Sequence, residues 1–140
     1  MSARSDDQRA QARPIPAASI AVFREGRVLI ARRGRAPNAG LYSLPGGAIE
    51  AGETAREAAL RELGEEVGVE AEIVAFIEPV ALGPYLIAAF VGRWRRGEAR
   101  VSPEASDFAW IDPAAIADYP TTPGLAAIVA KAAALERGST

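Results

Sequence analysis

Three carboxylates crowd the middle of this chain: Glu62, Glu65 and Glu66, in the run Arg61-Glu62-Leu63-Gly64-Glu65-Glu66-Val67-Gly68-Val69. A Pro45-Gly46-Gly47 turn precedes them, and Glu53 stands between turn and run. On a helix, positions i, i+3 and i+4 share one face over roughly 100° of arc. Like charges so spaced repel by about a few tenths of a kcal/mol per pair. They also fall near the helix C-terminus, where the macrodipole disfavours anions. Stability alone would place Lys or Arg there. A bound cation makes the cluster favourable, and a divalent metal is the obvious candidate.

Donor chemistry narrows the choice. The 140 residues include no His and no Cys, which argues against a zinc site with nitrogen or sulfur ligands. The same absence removes His as general base and Cys as nucleophile. Mg2+ and Mn2+ suit carboxylates, waters and phosphates. What remains is metal-activated water with a carboxylate taking its proton.

These acids need a helix to hold them. Thr54 is a good N-cap with Glu57 three residues on, a capping-box pattern. Residues 55–67 are rich in Ala, Leu, Glu and Arg, all strong helix formers, and Gly68 suits the C-terminal cap. Ala59, Leu63 and Val67 recur at spacing four as the expected buried stripe, with Leu60 beside them. Upstream, residues 18–23 and 27–31 read as a hairpin around Arg24-Glu25-Gly26. Residues 32–40 form a loop, and residues 41–44 a short strand feeding the Pro-Gly-Gly turn. Downstream, residues 71–79 and 85–94 read as strands around Gly83-Pro84, followed by a strand at 108–111. A short helix over 113–118 and an Ala-rich helix over 122–137 complete the chain, the latter turning Leu125, Ile128, Val129 and Ala132 inward. Mixed strands with a central and a terminal helix indicate α/β.

Composition bounds the rest. The length suits one domain, expected over residues 15–140, with 1–14 a polar terminal tail. Apolar residues make up 49%, enough for a sizeable core, and the net charge is −2. No basic surface for nucleic acid is advertised, and no apolar run approaches a membrane span or a signal peptide. Cytoplasm is the default expectation.

Gly47, Glu53, Arg61, Glu62, Glu65, Glu66 and Gly68 make a frame of seven fixed positions. Ordinary residue frequencies match such a frame by chance on the order of once in 10^8 windows, so a merely solvated acidic face is set aside. The segment resembles the Nudix box, the signature of the Nudix hydrolases, at every fixed position. That resemblance implies an α/β/α sandwich around a central mixed sheet. It also implies attack of water on a phosphorus while Mg2+ or Mn2+ holds the diphosphate of a nucleoside diphosphate linked to another moiety. The Gly46 carbonyl would join Glu62, Glu65 and Glu66 in the metal shell, with Glu62 or Glu65 orienting or deprotonating the water. Glu53 and Arg61 would form a supporting ion pair, Gly47 would allow close approach, and Gly68 would end the helix.

Further positions follow from the same resemblance. Glu104, in a loop leading to a strand, stands where several members carry an extra acidic ligand or base, with Asp107 its neighbour. Arg33 ends the second strand, where MutT-like members often hold phosphate, a task suited to a bidentate guanidinium. Tyr42 stands where many relatives have Trp, and either stacks on a nucleobase or packs in the core. No Asn lies near the start of the last helix, unlike MutT-type sanitisers of oxidised nucleotides. The chain is therefore more similar to small ADP-ribose pyrophosphatase-like members, among which homodimers are common. The alternatives are a nucleoside triphosphate pyrophosphohydrolase of MutT type and a non-catalytic nucleotide sensor.

Overall fold

A computed structural model describes residues 13–138. Most of the tail expected over 1–14, namely residues 1–12, lies outside the described residues. The first two strands, β1 (Ile15–Arg24) and β2 (Arg27–Arg33), form the expected hairpin. Glu25 and Gly26 turn it with φ of 52° and 79°, the positive pair that a tight two-residue turn needs to match strand twist. Then come β3 (Tyr42–Ser43), β4 (Gly46–Ala48), α1 (Ala55–Val67), β5 (Glu70–Leu82), β6 (Tyr85–Arg96) and β7 (Ala105–Ile111). A 3₁₀ helix (Pro113–Asp118) and α2 (Leu125–Gly138) finish the chain.

The seven strands form one mixed sheet with a path β3-β2-β1-β6-β5. β1 runs parallel to β6 and antiparallel to β2 and β4, while β7 pairs antiparallel with β2. The apolar run 18–23 is explained by burial on both faces of β1. Ile20 and Val22 pack on the α1 side with Leu63, Val67 and Phe90. Ala21 and Phe23 pack on the α2 side with Leu125, Val129 and Ala132. Helices thus cover both faces, giving the expected α/β/α sandwich.

The sheet departs from the expected elements at two places near the carboxylates. The Pro45-Gly46-Gly47 turn continues into β4, with Ser19 opposite Gly46 and Ala18 opposite Gly47. A Cβ on Gly46 would meet the Ala18 carbonyl and the Ser19 backbone, so glycine lets the two strands close. The second departure is the rotation of α1. Ala58, Ala59, Leu63, Glu66 and Val67 are buried, whereas Leu60, expected beside the buried stripe, is 38% exposed. The helix rolls toward its acidic side, which carries Glu66 under the sheet edge. Leu63 at zero exposure is its central anchor, and truncation to Ala there costs about 2–5 kcal/mol.

Candidate active site

Strand β4 and helix α1 are joined by a capped loop. Thr54 caps α1 with the full capping box: its hydroxyl accepts from the Glu57 N–H, and Glu57 accepts from the Thr54 N–H at 2.8 Å. At the other end Gly68 adopts φ 72° and donates to the Gly64 carbonyl at 3.0 Å. A side chain at Gly68 would also run into the Arg100 guanidinium.

Arg61 latches the loop to the helix. Its Nε donates to Glu53 Oε2 at 2.7 Å and its second terminal nitrogen to Glu53 Oε1 at 3.1 Å, a fork-on-fork pair. The same nitrogen reaches the Ala48 carbonyl at 3.1 Å, and the other holds Glu65 at 3.1 Å. The bond to Arg61 holds the Glu53 carboxyl below its usual range, and the bond to Glu53 strengthens the Arg61 cation. The Glu53 carboxylate also accepts from the Glu50 N–H at 3.0 Å, so the loop is tied to the helix through this one side chain.

Against that frame the carboxylates converge. Glu62, Glu66 and Glu104 each offer an oxygen within 4.8 Å of the others. Glu66 is only 8% exposed and accepts from the Gly46 N–H at 2.9 Å. Burial nevertheless pushes its pKa up to about 8; the Gly46 bond opposes this, and Glu62 and Glu104 reinforce it. Burial likewise raises Glu62, against the pull of Arg61. Glu62 Oε1 is buried without a hydrogen-bond partner among the described residues. An anionic oxygen in that state is costly.

Glu104 arrives from the turn before β7, the strand paired with β2. The Ser102 hydroxyl accepts from the Glu104 and Ala105 N–H groups at 3.2 Å each, forming a tight turn before β7. The Gly34 N–H donates to the Glu104 carbonyl at 3.0 Å, and a Cβ on Gly34 would collide with the Pro103 carbonyl. The loop after β2 therefore seats the Glu104 loop.

Other expected residues are placed differently. Glu65 is half exposed and turned to Arg61, outside the three-carboxylate cluster. For Gly46 the structure gives the N–H bond to Glu66 rather than a role for its carbonyl. Arg33 lines the same cleft as Glu62 and Glu66, its Nε donating to the Pro37 carbonyl at 2.7 Å. Tyr42, expected either to stack on a nucleobase or to pack in the core, is a core residue. Its ring is 7% exposed and meets Tyr119 edge-on at 5.2 Å, and its hydroxyl donates to Asp107 at 2.6 Å. Alternation along β3 explains this: Tyr42 faces inward, and Ser43 faces the cleft. Asp107 is thereby a structural acceptor.

The cleft has a volume of about 630 Å³. Its lining includes Glu62, Glu66, Glu104 and Arg33 together with the apolar Val80, Leu82, Ile87 and Ile128. The sequence reading missed Ser19 and Arg35, which also line it. Ser19 was hidden inside an apolar strand. Arg35 stands two residues beyond Arg33, and its loop gave no periodic signal.

The donor set fits a hard divalent cation. It is all oxygen, it includes three carboxylates, and it leaves Glu62 Oε1 buried with no proton donor.

Comparison with known proteins agrees with this geometry. The NUDIX domain family model matches residues 13–132. An RNA pyrophosphohydrolase from Erythrobacter litoralis is 45% identical over 62 residues, covering 44% of this chain and 36% of that protein. The NAD-capped RNA hydrolase NudC of Vibrio parahaemolyticus is 32% identical over 101 residues, 70% of this chain and 38% of that protein. The chain thus spans roughly a third to a half of the length of curated relatives it matches. A crystal structure of a NUDIX hydrolase from Nitrosomonas europaea superposes with a TM-score of 0.78 at 18% identity, covering 91% of this chain and 74% of that one.

Proposed function

The chain belongs to the Nudix family, and from that premise we propose that it is a divalent-metal-dependent pyrophosphohydrolase acting on a nucleoside diphosphate joined to a further moiety. The observation that carries this reading is the buried, partnerless Glu62 Oε1 inside a cluster of three carboxylates, beside a cleft of about 630 Å³.

Glu62, Glu66 and Glu104 would hold Mg2+ or Mn2+, with Glu65 and the Gly46 carbonyl as further ligands expected from the sequence. The cation, when bound, polarises the phosphates and acidifies the attacking water. Glu62 is also the base in this proposal: with one carboxylate oxygen toward the cation, the other would take the water's proton, which the raised pKa of the group suits. Arg33, beside the cluster, stabilises a phosphate oxygen. Gly46, through its N–H, fixes the rotamer of Glu66. Arg61 and Glu53 keep the loop against α1, so that the acids stay in place. The apolar side chains of the cleft lining suit contact with a base or ring.

Two identities of the further moiety remain in the proposal. The absence of Asn in residues 119–125 favours ADP-ribose or a related nucleotide sugar. A second reading, a nucleoside triphosphate including oxidised dNTPs, is favoured by a cation in the cleft, Arg35. The ligand is proposed to be a small molecule rather than a nucleic acid. Among the described residues no helix is long and apolar enough to cross a membrane.

The test is a phosphate-release screen with Mg2+, Mn2+ or EDTA, coupled to phosphatase where the product is a monoester. The panel holds ADP-ribose, sugar nucleotides, dinucleoside polyphosphates, and ordinary and oxidised dNTPs. Metal-dependent cleavage supports the hydrolase. Tight metal-dependent binding without turnover of any member would make it a nucleotide sensor instead.

A further inference from the structure

We propose that Arg35 is a specificity-determining residue that holds a phosphate beyond the scissile diphosphate. It would thereby favour nucleoside triphosphates over nucleoside diphosphates joined to a neutral sugar. The inference rests on the hydrolase reading above and names the substrate class of the same site.

The first support is placement. Arg35 is exposed, yet it lines the cleft that also contains Glu62, Glu66, Glu104 and Arg33. The second is availability. Arg24, Arg61, Arg93, Arg95 and Arg96 all hold carboxylates. Arg33, already assigned to a phosphate oxygen in the hydrolase reading, gives its Nε to the Pro37 carbonyl. Arg35 has no ion-pair or hydrogen-bond partner among the described residues. A guanidinium left open in a ligand-sized cleft has its full donor fork ready for phosphate.

The third support is the stiffness of its loop. The Arg33 N–H donates to the Leu41 carbonyl at 2.8 Å, and the Gly40 N–H returns to the Arg33 carbonyl at 2.8 Å. The Leu41 N–H closes onto Asn38 at 3.1 Å, and Gly34 is tied to Glu104 at 3.0 Å. Arg35 is displayed from a segment already shaped, so less ordering is lost when a ligand binds. That last bond also fixes the Arg35 loop to the loop carrying Glu104. Arg35 and the carboxylate cluster thus belong to two loops that are tied together and line one cleft. A neutral sugar would leave this cation nothing to pair with.

The experiment compares kcat/KM for a nucleoside triphosphate, a 5′-triphosphate oligoribonucleotide and the matching nucleoside diphosphate sugar, with Mg2+ saturating. Wild type, Arg35→Ala and Arg35→Lys are measured at low and high salt. In Arg35→Ala the triphosphate-to-sugar ratio of kcat/KM falls about tenfold or more, mainly through KM, as loss of a charge-assisted bond requires. Arg35→Lys falls between, because a point charge replaces a fork. A ratio within about twofold of wild type in Arg35→Ala for the nucleotide and the oligonucleotide alike overturns the inference while leaving the hydrolase intact, since such a loss is far below that of a phosphate contact. A fall seen with the oligonucleotide alone supports Arg35 as a phosphate holder and moves the triphosphate from a free nucleotide to an RNA end. No turnover of any substrate overturns the hydrolase reading and this inference together.

Discussion

A Cβ on Gly47 would fall inside the carboxylate of Glu62. Strand β4 and helix α1 therefore approach so closely that only hydrogen fits between backbone and acid. The glycine is required here by space, not by a turn.

Gly47→Ala tests that contact directly. The added methyl must displace the Glu62 carboxylate or separate β4 from α1. We expect kcat/KM to fall by about 10²-fold, the usual effect of a displacement near 1 Å at reacting groups. Overpacking should cost about 1–3 kcal/mol in stability. Steady-state kinetics and urea denaturation on one sample measure both, and a variant with unchanged kinetics would show that the contact is slack.

Glu66 gives a pH signature. Its pKa of about 8 lies above the ordinary value of 4.5. Between those values the folded chain holds a proton that the unfolded chain has released, so folding is favoured at the acidic end. Stability of the metal-free protein should fall as pH rises from about 4.5 to about 8, with Glu62 adding in the same direction. Glu66→Gln should flatten this slope, raise stability at pH 8 in EDTA, and abolish turnover. Urea midpoints across that window decide it; a variant with the wild-type slope or near-normal turnover would remove Glu66 from this role.

The partners of Glu65 and Glu104 predict an order of effects. Glu104 lies in the carboxylate cluster, whereas Glu65 is held by Arg61. Glu104→Gln should raise the Mg2+ concentration for half-maximal activity by about 10-fold or more, and Glu65→Gln by less. Metal titrations of both variants give the answer. The reverse order would return Glu65 to the central metal shell.

Tyr42→Phe separates packing from substrate contact. Losing the 2.6 Å bond to Asp107 should cost about 1–2 kcal/mol, while KM for the best substrate stays near wild type. The Asp107 carboxyl is held below its usual range by that hydroxyl. The pair's contribution is therefore present above the ordinary Asp range and lost as pH falls through the depressed value. A raised KM with unchanged stability would place the ring on the substrate instead.

The local sequence determined the parts that depend on local physics. Thr54 and Glu57 set where α1 starts and Gly68 where it stops, while the Arg61–Glu53 pair was implied by the resemblance of this segment to the Nudix box. Alternating and doubly buried apolar runs likewise marked the strands on which the site is built. The tertiary structure decided what depends on how those elements roll and dock. The rotation of α1 buried Glu66 and exposed Leu60: the stripe of Ala59, Leu63 and Val67 marked the buried face, but not the side to which the helix would roll. Glu104 joined Glu62 and Glu66 from about forty residues away because a loop after β2, without periodic signal, fastens the turn before β7. Tyr42 faced the core and Arg35 the cleft for the same reason. Side-chain direction at a strand end or in a loop is set by the surface that receives it, and that surface exists only once the chain has folded.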